Sequence, residues 1–346
     1  MTRDYRRLIE RNDVDAIIIC APDFLHEEIA ITVLNAGKSV YLEKPMAITL
    51  DGCDNILKTA MKTKSKLYLG HNMRHMPFVI KMREIINSGI IGKLQAVWCR
   101  HFIDYGGDAY FKDWHSDRKY STGLLLQKGA HDIDVIHWLS GAFTRRVTGM
   151  GKLSVYDKCK RRDDDDTMGF EFKTKHPDEW WNGANWPPAS QKNMSKTISI
   201  EDHSMIMMQL ENGVQANYMQ CHYTSENCRN YTFIGDAGRI ENIGDLANCK
   251  IYVYNIRGNS VTNPDVVYNV REINGGHGGA DPRIIDEFVR FAKGECEAST
   301  CPIAAREAVA TGYMGTMSIR NANIPLDVPP PTGSVLEYFK SGQKRK

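Results

Sequence analysis

The chain has 346 residues, of which 42% are hydrophobic and 25% charged, the make-up of a globular protein with enough length for one large or two medium domains. Lys plus Arg (44) nearly balances Asp plus Glu (42), so the formal charge is only +2, without the basic footprint of a nucleic-acid binder. No apolar run approaches the ~18–20 residues that span a bilayer, and the charged stretch Met1–Asn12 lacks the apolar core of a signal peptide.

Asp13–Cys20, D-V-D-A-I-I-I-C, is a charged lead into a continuous apolar run, as expected of a parallel strand buried on both faces. Phe24–Ala36 carries helical periodicity and is closed by Gly37. Ser39–Leu42 reads as a strand, Thr49–Thr63 as a helix, Lys66–Leu69 as a strand and Phe78–Ser88 as a helix. This alternation predicts right-handed crossovers and a doubly wound parallel sheet. The rhythm changes near Gly92. Leu94–Phe102 is strand-like, Leu126–Leu139 is helix-like, and strands dominate from Val147. Ser204–Leu210 and Val214–Tyr223 flank Asn212-Gly213, a hairpin signal. Tyr231–Ile234 and Lys250–Ile256 read as further strands, Asp281–Ala292 and Ala304–Arg320 as helices. Arg161–Asp166 reads as a charged loop and Trp180–Pro188 as an aromatic, proline-containing insertion. Pro325–Pro331 is expected to end ordered structure, leaving a solvated, lysine-rich tail. The organisation predicted is a partial Rossmann-like α/β domain over 1–92, an α+β domain with a large, mostly antiparallel sheet over 93–324, and a tail over 325–346. The late helices are placed to pack back on the first domain.

Three stretches resemble the Gfo/Idh/MocA oxidoreductases. They are Asp13–Pro45, with D-V-D-A-I-I-I-C-A-P-D, His26, A-G-K at 36–38 and E-K-P at 43–45; then Gly89–Leu94 with T-G-L-L-L-Q-K-G-A-H-D-I-D at 122–134 and H-W-L-S-G at 137–141; and G-G-H-G-G-A-D at 275–281 with A-A-R-E-A-V at 304–309. The resemblance implies a Rossmann domain for NAD or NADP, and a second domain whose sheet joins copies into a homodimer or homotetramer. It further implies reversible oxidation of a secondary alcohol on a sugar, inositol or related polyol. The family opens with a strand, a G-x-G-x-x-G turn and a helix, and nothing of that kind precedes Asp13. About sixty to seventy residues of the pattern are expected to be absent, the length of a β-α-β-α-β lead. Gly235–Gly238 and Gly275–Gly279 do not sit between a buried strand and a helix, so neither qualifies as the phosphate turn.

Lys44 follows a strand, where ligands gather in open α/β sheets; its ammonium is placed to hold the reacting hydroxyl, and burial near a cationic nicotinamide would lower its pKa. In the family the following Lys44–Pro45 peptide is often cis, which would aim the lysine. His131 is the expected general base. The resemblance puts Asp four residues before it; here Gln127 stands there, able to hydrogen-bond but not to stabilise an imidazolium by charge. Asp134 is either an orienting partner or a helix-surface acid. Cofactor contacts carry over to Cys20, Ala21, Pro22, His26, Glu43, Lys44, Asn72 and Arg74. Trp114, His115 and Arg118 are expected to floor a sugar pocket and His277 to cap it. No metal is expected: His71 and His75 lack a complete ligand set, as does the Asp163–Asp166 run. Nine cysteines without a Cys-x-x-Cys pair suit a reducing cytoplasm. Two other readings stay open: a glycosidase of the same scaffold with tightly held NAD, and a cofactor-free binding or regulatory protein.

Overall fold

The computed structural model describes residues 4–343 apart from 182, 184, 247, 259 and 272. Among them, the first sheet is formed by β1 (Ala16–Ile19), β2 (Ser39–Leu42) and β3 (Leu67–Leu69), parallel and in that order. The helices His26–Asn35 and Leu50–Thr63 supply the two crossovers. Each begins and ends where local chemistry dictates. Thr49 caps the second helix by accepting the Gly52 N–H at 3.0 Å, and Gly37 ends the first region with φ of 77°. Val40, Leu42, Leu67 and Leu69 are fully buried. β1 differs from expectation. Among the described residues it pairs with β2 alone, and Ile18 is 50% exposed rather than buried.

The second sheet has nine strands: β4 (Leu94–Phe102), β5 (Thr144–Lys152), β6 (His203–Leu210), β7 (Gln215–Cys221), β8 (Cys228–Gly235), β9 (Arg239–Ile243), β10 (Lys250–Tyr254), β11 (Val266–Asn269) and β12 (Leu326–Asp327). Their order is β11-β10-β9-β8-β4-β7-β6-β5-β12, antiparallel throughout except for the parallel β4–β7 pair. The Asn212-Gly213 turn joins β6 to β7 as expected, and Gly235–Gly238 turns β8 into β9. One face packs on the helices Gly129–Ser140 and Pro302–Arg320; the other exposes Trp98, Met150, Met205, Met207 and Ile234.

Three expectations about helices change. The run 126–139 is two segments, Leu124–Gln127 and Gly129–Ser140, meeting at Lys128. The helix predicted from Asp281 begins in Gly276–Lys293, where His277, Gly278 and Gly279 take left-handed backbone angles before regular turns set in. The tail expected from residue 325 is ordered as far as Gln343. β12 pairs with β5, the helix Gly333–Lys340 buries Val335, Tyr338 and Phe339, and the Gln343 amide bonds both the N–H and the carbonyl of Leu67 at 2.9 Å. Those apolar side chains and that amide pair account for the docking; residues 344–346 lie outside the described residues.

Both late helices pack on the first sheet's domain. Ile284, Phe288 and Phe291 of Gly276–Lys293 cluster with Tyr41 and Tyr68. Arg306 of Pro302–Arg320 is buried and reaches Asp54 at 3.0 Å.

Candidate active site

The carboxyl ends of β1 and β2, the turn after β3, and the helices Gly129–Ser140 and Gly276–Lys293 surround a cleft of 330 Å³. Cys20, Glu43, Lys44, Asn72, Lys128, His131, His277 and Asp281 supply its polar lining, and Ile18, Tyr41, Ile284 and Ile285 the rest. Lys44 and His131, far apart in sequence, therefore face one space.

Their electrostatics are set by burial and by each other. Burial and then the neighbouring ammonium of Lys128 push the Lys44 pKa down to about 8. Burial and then the charges of Lys44 and Lys128 hold His131 well below the usual imidazole value, so its ring is neutral at pH 7. Among the described residues neither lysine forms an ion pair, and the His131 Nδ1 has no hydrogen-bond partner. The Lys44–Pro45 peptide is cis, as expected. Glu43 accepts hydrogen bonds from the Tyr41 hydroxyl at 3.0 Å and from the Lys44 backbone N–H at 3.1 Å.

Two acids fix the helix carrying His131. Asp132 points at the large sheet, meeting Tyr218 Oη at 3.0 Å, His101 Nδ1 at 3.0 Å, Arg229 Nε at 2.9 Å and the Tyr231 hydroxyl. Asp134 points at the first domain. Arg74 donates to it at 2.6 and 2.8 Å, a bidentate pair, and His71 Nδ1 lies 3.2 Å away. Desolvation raises the Asp134 pKa, but the Arg74 charge and then His71 overcome it and hold the carboxyl well below the usual range. Asp134 is therefore a buried tie and not a helix-surface acid.

Several expected contacts are placed elsewhere. Arg74 is committed to Asp134 and to the Ser299 carbonyl, which removes it from the cofactor edge. His26 is fully buried, its ring nitrogens 2.7 Å from the Pro45 carbonyl and 2.9 Å from that of Ala21; it clamps the turns after β1 and β2 together instead of touching a ligand. Ala21 and Pro22 form that first turn behind Cys20. Gln127 is buried against Asp23 with its Oε1 unpartnered and is not among the residues lining the cleft. Trp114 is buried edge-on to Phe24 and stacked on His115, which is bonded to Asp113, so both floor the turn after β1 and not the cleft. Arg118 is exposed and donates to the Ser199 carbonyl at 2.8 Å, outside the cleft. Asn72, Cys20, Glu43 and His277 do line it. Lys128 and Asp281 were missed. Lys128 lies three residues before His131, a spacing that puts both on one helical face. Asp281 anchors Asn72 at 3.1 Å and His277 at 2.8 Å.

The lining fits the nicotinamide half of a dinucleotide. It lies outside the carboxyl ends of parallel strands, where such ligands bind, and the buried Oδ1 of Asn72 has no partner of its own. The glycine clusters form a hairpin turn and the entry to a late helix, not a phosphate cradle.

A parallel-sheet cofactor domain and a large open sheet, joined at a cleft holding lysine and histidine, define a two-domain nicotinamide-type oxidoreductase scaffold. Residues 1–71 match the family model described as the oxidoreductase family NAD-binding Rossmann fold, and residues 83–328 the model for the C-terminal alpha/beta domain. The chain belongs to the Gfo/Idh/MocA oxidoreductase family. It is 32% identical over 138 residues to inositol 2-dehydrogenase of Salmonella typhimurium, covering 39% of this chain and 38% of that one. It is 29% identical over 190 residues to 2,7-anhydro-N-acetylneuraminate hydratase of Mediterraneibacter gnavus, covering 53% of this chain and 50% of that one. The chain spans half or less of the length of the curated relatives it matches. Among solved structures, a levoglucosan dehydrogenase bound to NADH and levoglucosan has the same fold, with a TM-score of 0.74 at 17% identity over 95% of this chain and 84% of that one.

Proposed function

We propose that this chain carries the site of an NAD(P)-dependent oxidoreductase that moves hydride to or from a secondary alcohol of a sugar, inositol or sugar acid. The observation that carries the reading is the shared cleft of Lys44, Lys128 and His131 at the carboxyl ends of the parallel strands. When bound, the nicotinamide supplies the hydride acceptor or donor. The protein's part is to bind the carbinol and move its proton. Lys44, with a pKa near 8, is matched to take the hydroxyl proton near neutral pH; His131, kept neutral, accepts or donates a hydrogen bond to the same oxygen. The pKa directions favour this division over His131 as the base. Lys128 adds a second ammonium that forms no ion pair among the described residues, which favours substrates bearing a carboxylate near the reacting carbon. Asn72, Glu43 and Cys20 are cofactor-side contacts, and His277 closes the substrate side.

The exposed apolar face of the large sheet supports a homodimer or homotetramer joined there. All nine cysteines are free, and no helix among the described residues is long and apolar enough to cross a membrane; both observations support a cytoplasmic setting.

The test is a spectrophotometric screen of NAD and NADP against myo-inositol, aldoses and uronic acids, run beside fluorescence titration of each cofactor. Cofactor binding with accumulation of free reduced nicotinamide supports the dehydrogenase reading. Binding without net reduction, together with glycoside cleavage, transfers the site to transient oxidation, and no binding of either cofactor refutes the proposal.

A further inference from the structure

A second cleft, of 390 Å³, opens beside Tyr105, lined by that residue and by Trp181, Trp186, Gln191, Asp104 and Asn227 among others. Trp181 stacks on Tyr105 with ring centroids 5.6 Å apart, yet Trp181 and Trp186 are each 54% exposed. Scattered exposed apolar side chains need no explanation, but two indoles in one cleft form a platform.

The platform is built. Lys112 is fully buried and donates to Asp108 at 2.6 Å, to the Glu179 carbonyl at 2.9 Å and to the Trp180 carbonyl at 2.7 Å, fixing the backbone just before Trp181. Taking an ammonium out of water costs several kcal/mol unless its donors are met, and here all three are. Gln191 is buried in the cleft wall, and among the described residues its Oε1 has no hydrogen-bond partner. At the rim, Asn227 and Asp104 bond each other. Aromatic faces beside amide and carboxylate acceptors suit a pyranose, whose C–H face packs on an indole while its hydroxyls donate at the edge. Tyr105 also joins this cleft to the catalytic one, since its hydroxyl partners Lys128.

We propose that the Tyr105–Trp181–Trp186 cleft is a second saccharide subsite, so that the substrate is a glycoside whose reacting ring lies by Lys44 and whose second ring stacks on the indoles. This rests on the oxidoreductase reading for the first ring alone.

The experiment is titration of tryptophan fluorescence with cellobiose, maltose, lactose and digalacturonate, with glucose and galacturonate as single-ring controls. At least one disaccharide is expected to give a saturable change, weakened about tenfold or more by Trp181→Ala or Trp186→Ala, the order of one stacking contact. Both residues are exposed, so folding is preserved; circular dichroism checks this. A flat response to all four disaccharides overturns the proposal. So does an affinity unmoved by either substitution, or a double variant whose only effect is loss of an oligomer in sedimentation. The titration needs no hydride transfer, so its failure leaves the oxidoreductase reading standing, and failure of turnover leaves the subsite standing.

Discussion

Replacing Asp134 by alanine removes the tie that holds the His131 helix against the first domain. Arg74 and Asp134 have side-chain exposures of 6% and 1% and are joined by two hydrogen bonds of 2.6 and 2.8 Å. Removing one member of such a pair strands a buried guanidinium, at a cost of about 3–5 kcal/mol. At roughly 2 °C per kcal/mol for a chain of this size, the melting temperature should fall by about 6–10 °C. The sign with pH follows from the depressed carboxyl. Its stabilisation is complete above the unfolded-state value of about 4 and is lost as pH falls through that value toward the lower folded one. Thermal melts of wild type and Asp134→Ala should therefore differ by a constant gap from pH 7 down to about pH 5, and the gap should narrow steadily as pH falls below about 4. A gap smaller than about 2 °C at pH 7, or one that widens in acid, would refute the reasoning.

Lys128→Met removes a like charge from Lys44, so the Lys44 pKa should rise and the acid limb of kcat/KM for alcohol oxidation, expected near pH 8 in wild type, should move to higher pH; an unmoved limb removes Lys44 from the proton path. Arg118→Ala should leave kcat/KM within about twofold, because that guanidinium lies on the surface at Ser199; a loss of tenfold would return it to the substrate site. Met207 is 61% exposed on the open sheet face, so Met207→Lys should shift sedimentation toward the monomer, and an unchanged profile would place the oligomer contact elsewhere.

The parts of this molecule legible in its sequence are those set by local chemistry. Ser39–Leu42 and Leu94–Phe102 are strands at the predicted residues, and the helix read as Thr49–Thr63 runs over Leu50–Thr63 with Thr49 as its cap. Lys44 and His131 could be placed in one cleft because strand-end position and family spacing both point there. What stayed hidden depends on non-local pairing. Nothing near Arg74 or Asp134 in sequence says that they bond each other across 60 residues, so Arg74 reads as a cofactor contact and Asp134 as an orienting partner or a helix-surface acid. His26 reads as a ligand contact until two carbonyls converge on its ring. Ile18 sits in an apolar run that predicts full burial, yet its side chain lines the cleft and is half exposed. The proline-rich segment after 325 hides an ordered ending because the contact that orders it, Gln343 with Leu67, spans almost the whole chain.

The central claim is that Lys44 and His131 act on one hydroxyl, and a double-mutant cycle tests it most directly. Turnover would be measured for wild type, Lys44→Ala, His131→Ala and the double variant with a substrate from the screen. Groups that serve one proton and one oxygen act as a unit, so Lys44→Ala alone should cost at least ~100-fold and the double variant little more than the larger single loss. Losses that multiply independently, or a Lys44→Ala enzyme with nearly full activity, would contradict it.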